Sequence, residues 1–141
     1  MNTTDPDAVF NYSFTVTDDV IDGNGHVNNV AYVQWMQDVA VRHFRSKISR
    51  QQMQDFGCLW VARSHHIEYL SPALPGDEIR ALTWIVNWRR VRSVRRYRFL
   101  RSRDDTVLAQ GETDWVLVNA GSGRPCSIPQ QIQDAFILHP E

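Results

Sequence analysis

Between residues 22 and 47 the chain passes from a turn-forming run, Asp22-Gly23-Asn24-Gly25-His26-Val27-Asn28-Asn29, into a segment that is apolar on more than one side. Val30, Val33, Met36, Ala40 and Phe44 recur at spacings of three or four, and Tyr32, Trp35 and Val39 widen the apolar surface. A helix of about nineteen residues is roughly 28 Å long, and one with this girth must be wrapped by other elements. Asn28 or Asn29 is placed to accept from the helix's first amides as an N-cap, which leaves the other amides and the positive dipole end facing the turn. Negative charge developing on a bound oxygen is stabilised at such a place.

The flanking segments read as long strands. Ala8 to Thr17 alternates, with Phe10, Tyr12, Phe14 and Val16 on one face and Asn11, Ser13 and Thr15 on the other. The helix or a short successor reaches Phe56, with Gly57 as its stop and Arg42, Arg45, Lys47 and Arg50 near its C-terminal, negative end. Cys58 to Leu70 follows, Leu59, Val61, Ile67 and Tyr69 facing one way and Trp60, Ala62 and Leu70 the other. Beyond the break at Ser71 to Gly76, strands are expected at Asp77 to Trp88, Val91 to Arg103 and Thr106 to Val118, with Asp104-Asp105 as a turn. Strands of about ten residues span roughly 33 Å, a length that matches the helix. The expected class is therefore α+β, a curved antiparallel five-stranded sheet around one long central helix. A Gly/Pro loop from Asn119 to Ser127 and a short helix over residues 129–138 end the chain.

At 141 residues one domain is expected across residues 1–141, burying roughly two-thirds of its unfolded surface. Residues 1–7 read as a disordered start. Hydrophobic residues make up 43% and charged residues 22%, a balance that excludes disordered and membrane-spanning classes. The first 22 residues carry five acids and no Lys or Arg, which argues against a targeting segment and for the cytoplasm. Cys58 and Cys126 have no metal-site or disulfide-framework spacing and are expected to be reduced. No metal or cofactor is implied, and no Gly-x-Ser-x-Gly elbow points to a serine hydrolase. His65 and His66 alternate faces of one strand.

The ordered blocks Asp22-x-x-Gly25-His26-Val27-Asn28-Asn29-x-x-Tyr32-x-x-Trp35, Ile67-Glu68-Tyr69-x-x-Pro72-x-x-x-Gly76-Asp77 and Trp115-Val116-Leu117-Val118, with Gly123-Arg124-Pro125 and Ile128-Pro129 beyond, span nearly the whole chain. In them the sequence resembles the hotdog fold, and within it the 4-hydroxybenzoyl-CoA thioesterase-like branch of acyl thioesterases. The resemblance implies Asp22 as the catalytic carboxylate and the backbone amide near Asn29 as the group that polarises the thioester carbonyl. Many bacterial members carry a further acid where this chain has Val20, leaving Asp19 as the nearest substitute. Asp22-x-Asn24-x-His26 is closer to acyl-ACP thioesterases, whose catalytic proposals involve the Asn and His as well as a later carboxylate that aligns with Pro72. The implied substrate is thus acyl-CoA or an acyl carrier protein thioester.

Asp22 would act as general base for water or as nucleophile, and it reads locally also as a plain turn residue. His26 either orients Asn24 or the substrate, or packs on the first strand. Asn28 reads as a cap rather than a reactant, and as a substrate-binding residue in that capping shapes the oxyanion site, and Tyr32 either joins the core or lines an acyl pocket. Eight of the fifteen basic residues lie between Arg89 and Arg103. Arg89, Arg90 and Arg92 read either as a docking surface for CoA phosphates or an acidic carrier protein, or as a solvated face paired with Glu112 and Asp114. The chain is not basic overall and has no nucleic-acid motif, and a membrane is not an expected partner.

A homodimer or homotetramer with sheets joined edge to edge is expected, with the site at the subunit boundary and the partner's Trp60 to His66 strand completing it. Two rival readings are a hotdog hydratase or dehydratase of enoyl thioesters, whose Asp-x-Asn-Pro-x-His this chain does not match, and a non-catalytic acyl-thioester binding module.

Overall fold

The computed structural model describes residues 6–141. The element order is β1 (Phe10–Thr15), α1 (Asn29–Arg45), α2 (Arg50–Phe56), β2 (Cys58–Tyr69), β3 (Glu78–Ile85), β4 (Arg92–Arg101), β5 (Thr106–Asn119) and α3 (Gln130–Ala135). All strand pairs are antiparallel and the sheet order is β1-β3-β4-β5-β2, so β1 and β2 form the two edges. The inner sheet face packs on α1 through Met36, Val39, Ile79, Tyr97, Phe99 and Leu108, all buried. This is the wrapped-helix architecture that the hotdog resemblance implies.

Of the start expected to be disordered, residues 1–5 lie outside the described residues, while Pro6–Ala8 form a single 3-10 turn. The helix ends at Arg45, short of Lys47, and a separate α2 begins at a capping box in which the Ser49 hydroxyl and the Gln52 side chain each take the other's backbone amide. Val30, expected on the apolar stripe, is 77% exposed, and His43 takes an inward place instead. Ranges differ elsewhere too. β3 stops at Ile85, β4 spans only Arg92–Arg101, and α3 ends at Ala135, because Phe136 turns extended to stack on Phe44 at 5.4 Å. That ring joins Ile48, Met53, Ile85, Leu117, Ile128 and Ile132 in a second apolar cluster closing one end of the sheet.

The facing expected for β2 is half right. The register with β5 shifts between Ala62 and Ser64, and an extra residue there reverses the alternation. Trp60 and Ala62 share the inner face with His65, Ile67 and Tyr69, while Leu59 and Val61 face outward, 44% and 43% exposed. Opposite the second half of β2 sits Gly111, where an added Cβ would lie 2.6 Å from the His66 carbonyl oxygen. The two strands approach this closely only because residue 111 has no side chain.

A histidine and an arginine are buried within the core, His43 and Arg95. Arg95, inward on β4 between Ser93 and Tyr97, donates through Nη1 to His43 Nδ1 at 2.8 Å and to Thr83 Oγ1 at 3.1 Å. His43 is further enclosed by the rings of Phe10 and Phe136, at 5.2 and 5.1 Å. Burial first, then the charges of Arg95 and Lys47, push its imidazole down to about 3. Burial lowers Arg95 to about 10, which leaves it charged at neutral pH.

Two outcomes follow from these contacts. Gly111→Ala is expected to destabilise the fold by about 1–3 kcal/mol through strand separation; an unchanged urea midpoint would contradict the close approach. His43 stays neutral when folded but takes a proton near its ordinary 6.5 when unfolded. Its contribution is therefore complete above that pH and is lost as pH falls towards the folded value, at about 1.4 kcal/mol per pH unit for one proton. Unfolding free energies of wild type and His43→Leu, measured from about pH 7 to 4.5, should show a flatter slope in the variant.

Candidate active site

Residues 21–28 fold as a tight loop tied to the start of α1. Ile21 and Val27 form an antiparallel bridge, Asp22 N–H donates to the His26 carbonyl at 2.8 Å, and Gly25 adopts φ +78°, a left-handed value suited to glycine. Inside this loop one oxygen of the Asp22 carboxylate accepts the backbone amides of Asn24 at 2.9 Å and His26 at 3.2 Å. Asn24 and His26 thus hold Asp22 through their main chain, while their side chains and that of Asp22 are exposed. The second carboxylate oxygen has no hydrogen-bond partner among the described residues, so it is available to a water or a substrate.

Asn28 is the helix cap. Its Oδ1 accepts from Ala31 N at 2.9 Å, and its Nδ2 and its backbone N–H both donate to the Val20 carbonyl, at 2.9 and 2.8 Å. The Val27 amide donates to Ala73 at 2.9 Å. With Ala31 satisfied, the amides of Asn29 and Val30 remain without an acceptor among the described residues. Both residues are exposed. A carboxylate with a free oxygen and a helix end with free donors therefore sit on one short, braced segment.

The floor beside this segment is aromatic. Tyr32 is buried at 3% exposure, edge-on to Trp35, Tyr69 and Phe99 at 4.9, 5.5 and 5.6 Å. Burial, then Tyr69 and Asp77, pushes its hydroxyl up to about 12, so it stays protonated. Tyr69, at the end of the edge strand β2, donates to the Asn29 carbonyl at 3.3 Å. This contact places the helix head beside the free edge of the sheet. Asp19, the acid nearest the Val20 position, accepts from the Thr17 hydroxyl.

The arginines lie elsewhere. β3 begins near the Asp22 loop, whose Val27 amide donates to Ala73 just before it, and runs eight residues away, roughly 26 Å at the usual rise. Arg89 and Arg90 come after its far end. Within one chain they are therefore not gathered with Asp22. Both are exposed and form no ion pair among the described residues, whereas Arg92 pairs with Asp114 at 3.1 Å and Arg96 with Glu112 at 3.3 Å.

That same far end holds a cavity of about 270 Å³ between the second half of α1, α2 and the inner sheet face. Phe44, Trp60, Trp88, Trp115 and Ile85 supply apolar wall, and Arg95 is its buried cation. Sequence reading passed over Arg95 among eight clustered basic residues. The signal was its place in the inward series Ser93, Arg95, Tyr97, Phe99, which the structure shows to be buried throughout. Cys58 also lines the cavity, its Sγ 3.0 Å from that of Cys126 with no bond between them. Burial and then Cys58 push the Cys126 thiol up to about 11, which leaves it protonated and a poor nucleophile.

Among the described residues no group of His, Cys, Asp and Glu is arranged to hold a metal ion, and no helix is long and apolar enough to cross a membrane.

Comparison with solved structures finds the same fold repeatedly. A Staphylococcus aureus protein solved in complex with CoA superposes with a TM-score of 0.85 at 21% identity, covering 95% of this chain and 85% of the other. A 1,4-dihydroxy-2-naphthoyl-CoA thioesterase from Synechocystis gives 0.80 at 22% identity, covering 90% and 94%. A 12:0-ACP thioesterase from Umbellularia californica gives 0.83 at 21%, with 94% of this chain matching 52% of that longer one. No curated protein matches the sequence. Residues 15–136 match the model of the thioesterase-like superfamily, and the chain belongs to that superfamily.

Proposed function

We propose that the protein hydrolyses acyl-CoA thioesters to the free acid and the thiol, with Asp22 as the reacting carboxylate and the head of α1 as the oxyanion site. The observation that carries this reading is the pairing of a carboxylate oxygen left free by the Asn24 and His26 amides with the two acceptorless amides of Asn29 and Val30. A thioester carbonyl at those amides gains from them most when its oxygen becomes negative, which is the requirement for lowering the barrier rather than merely binding.

In the general-base form, Asp22 takes a proton from water as the water oxygen bonds to the carbonyl carbon. The tetrahedral oxyanion faces the helix head, then collapses with cleavage of the C–S bond, and the thiolate leaves with the proton. In the nucleophilic form Asp22 itself bonds to the carbon, the C–S bond breaks and the thiolate leaves, and water then hydrolyses the resulting anhydride to the free acid and the Asp22 carboxylate, its proton passing to the thiolate. After a single turnover in 18O-labelled water, label found in the Asp22 peptide by mass analysis identifies the nucleophilic form with attack of water on the Asp22 carbonyl.

The reading includes a dimer through β2. This edge strand is twelve residues long and presents one row of unpaired backbone groups. Pairing with a second copy about a two-fold axis at its middle sets the Cys58 end of one copy beside the Tyr69 end of the other. Tyr69 contacts Asn29, and Cys58 borders the cavity at the arginine end. One copy's Arg89 and Arg90 then approach the other copy's Asp22 loop, where the guanidiniums serve the phosphates of CoA. Analytical ultracentrifugation is expected to give a dimer, or a tetramer built from two such dimers, and a monomer at micromolar concentration would contradict this.

Asp22→Asn is expected to lower kcat/KM for acyl-CoA by about 10²-fold or more without loss of the folded state. Unchanged thiol release from the variant would remove Asp22 from the mechanism. Tight acyl-CoA binding by the wild type with no thiol release would instead make the chain a binding module.

A further inference from the structure

The cavity at the second half of α1 contains a charge with no counter-charge. Arg95 is 5% exposed, and its two hydrogen bonds, to His43 Nδ1 and Thr83 Oγ1, both leave from Nη1 and both end on neutral groups. Nε and Nη2 have no partner among the described residues. Among the described residues no Asp or Glu lines the cavity, and the other charged residue in its lining is a second arginine, Arg45, at the exposed rim. The neighbouring acids on the sheet, Glu112 and Asp114, are engaged by Arg96 and Arg92. Trp60 and Trp88 line the cavity with their rings, while their Nε1–H groups are buried away from it. The site is therefore positively charged, without a carboxylate in its lining, and walled mainly by aromatic and aliphatic side chains.

A guanidinium buried without an anion is costly, and a methionine would fill the same space without that cost. Bracing of His43 and Thr83 accounts for one nitrogen of Arg95 and leaves the others idle. An ordered carboxylate accounts for them, because two parallel N–H donors match its two oxygens. The apolar wall between rim and guanidinium suits a hydrocarbon segment leading to that carboxylate.

We propose that the cavity is the acyl-tail pocket for thioesters whose acyl group ends in a carboxylate, the half-thioesters of dicarboxylic acids, and that Arg95 selects them. The proposal rests on the thioesterase reading, since the carboxylate is to be the far end of an acyl group whose thioester lies at an Asp22 loop. In the β2-paired dimer the cavity of one copy borders the Asp22 loop of the other, so one acyl chain reaches both.

The test compares thiol release from the CoA monothioester of octanedioate with that from octanoyl-CoA, in wild type and Arg95→Met, alongside binding of free octanedioate and octanoate followed by indole fluorescence. Wild type is expected to prefer the dicarboxylate thioester in kcat/KM by roughly a hundredfold, and Arg95→Met to abolish or reverse that preference while still cleaving octanoyl-CoA. A purely structural arginine would lower both activities together and leave their ratio unchanged. An unchanged ratio, or octanoyl-CoA preferred by the wild type, overturns the proposal while the thioesterase reading stands. No thiol from either substrate, with octanedioate quenching the wild-type indoles far more strongly than octanoate, supports the carboxylate pocket while the thioesterase reading falls. Equal or absent quenching by the two acids overturns the pocket, and because this needs only the wild type, it decides even if Arg95→Met does not fold.

Discussion

One asparagine side chain holds three parts of the chain in place. Asn28 accepts from Ala31 N inside the helix and donates through Nδ2 to Val20 before the loop, while its own amide donates to the same carbonyl. A cap of this kind contributes on the order of 1 kcal/mol to helix stability, but its structural effect here is larger than that figure. It fixes where α1 begins, and so which amides lack acceptors. It also anchors both ends of the loop that carries Asp22. An alanine at position 28 would remove the cap and the Nδ2 bond together, leaving the loop tied to Val20 through the backbone amide of residue 28 alone.

The sheet then determines what can reach this segment. β2 contributes Trp60 to the cavity at one end and Tyr69 to the helix head at the other, and both side chains lie on the inner face. Strict alternation forbids this for residues separated by an odd number of positions. The register shift after Ala62 reconciles them, and Gly111 permits the close strand approach that continues beyond it. The bulge is therefore what lets a single edge strand serve two places roughly 26 Å apart on the scale of β3.

Much of this was legible in the residues. The turn, the cap, the helix, five strands in order and the terminal helix all have local signatures, since capping, alternation and Gly/Pro breaks depend on near neighbours. Asn28 was readable as a cap for that reason. The facing of Leu59 and Val61 was not, because a bulge is set by the partner strand and β2 and β5 are distant in sequence. Val30 fell on the helical stripe, yet it is exposed, and its neighbours Ala31 and Tyr32 in the same first turn face the core instead. His43 and Arg95 were missed because each has the composition of a surface residue, and only their mutual contact across 52 positions of sequence makes their burial tolerable. Asp22 was singled out by motif, but the donors that hold it are backbone amides, which no residue identity reveals.

The His43–Arg95 contact shows why the core alone does not satisfy that cation. Two neighbours able to share a proton normally settle with one charge between them, and here burial keeps it on the guanidinium, with the imidazole neutral and its Nδ1 serving as acceptor. A carboxylate in the place of His43 would have neutralised the pair and closed the site electrostatically. An imidazole accepts one hydrogen bond and returns no charge, so the field of Arg95 persists into the cavity. The same choice of residue thus stabilises the position of the arginine and preserves its attraction for an anion that is not part of the chain.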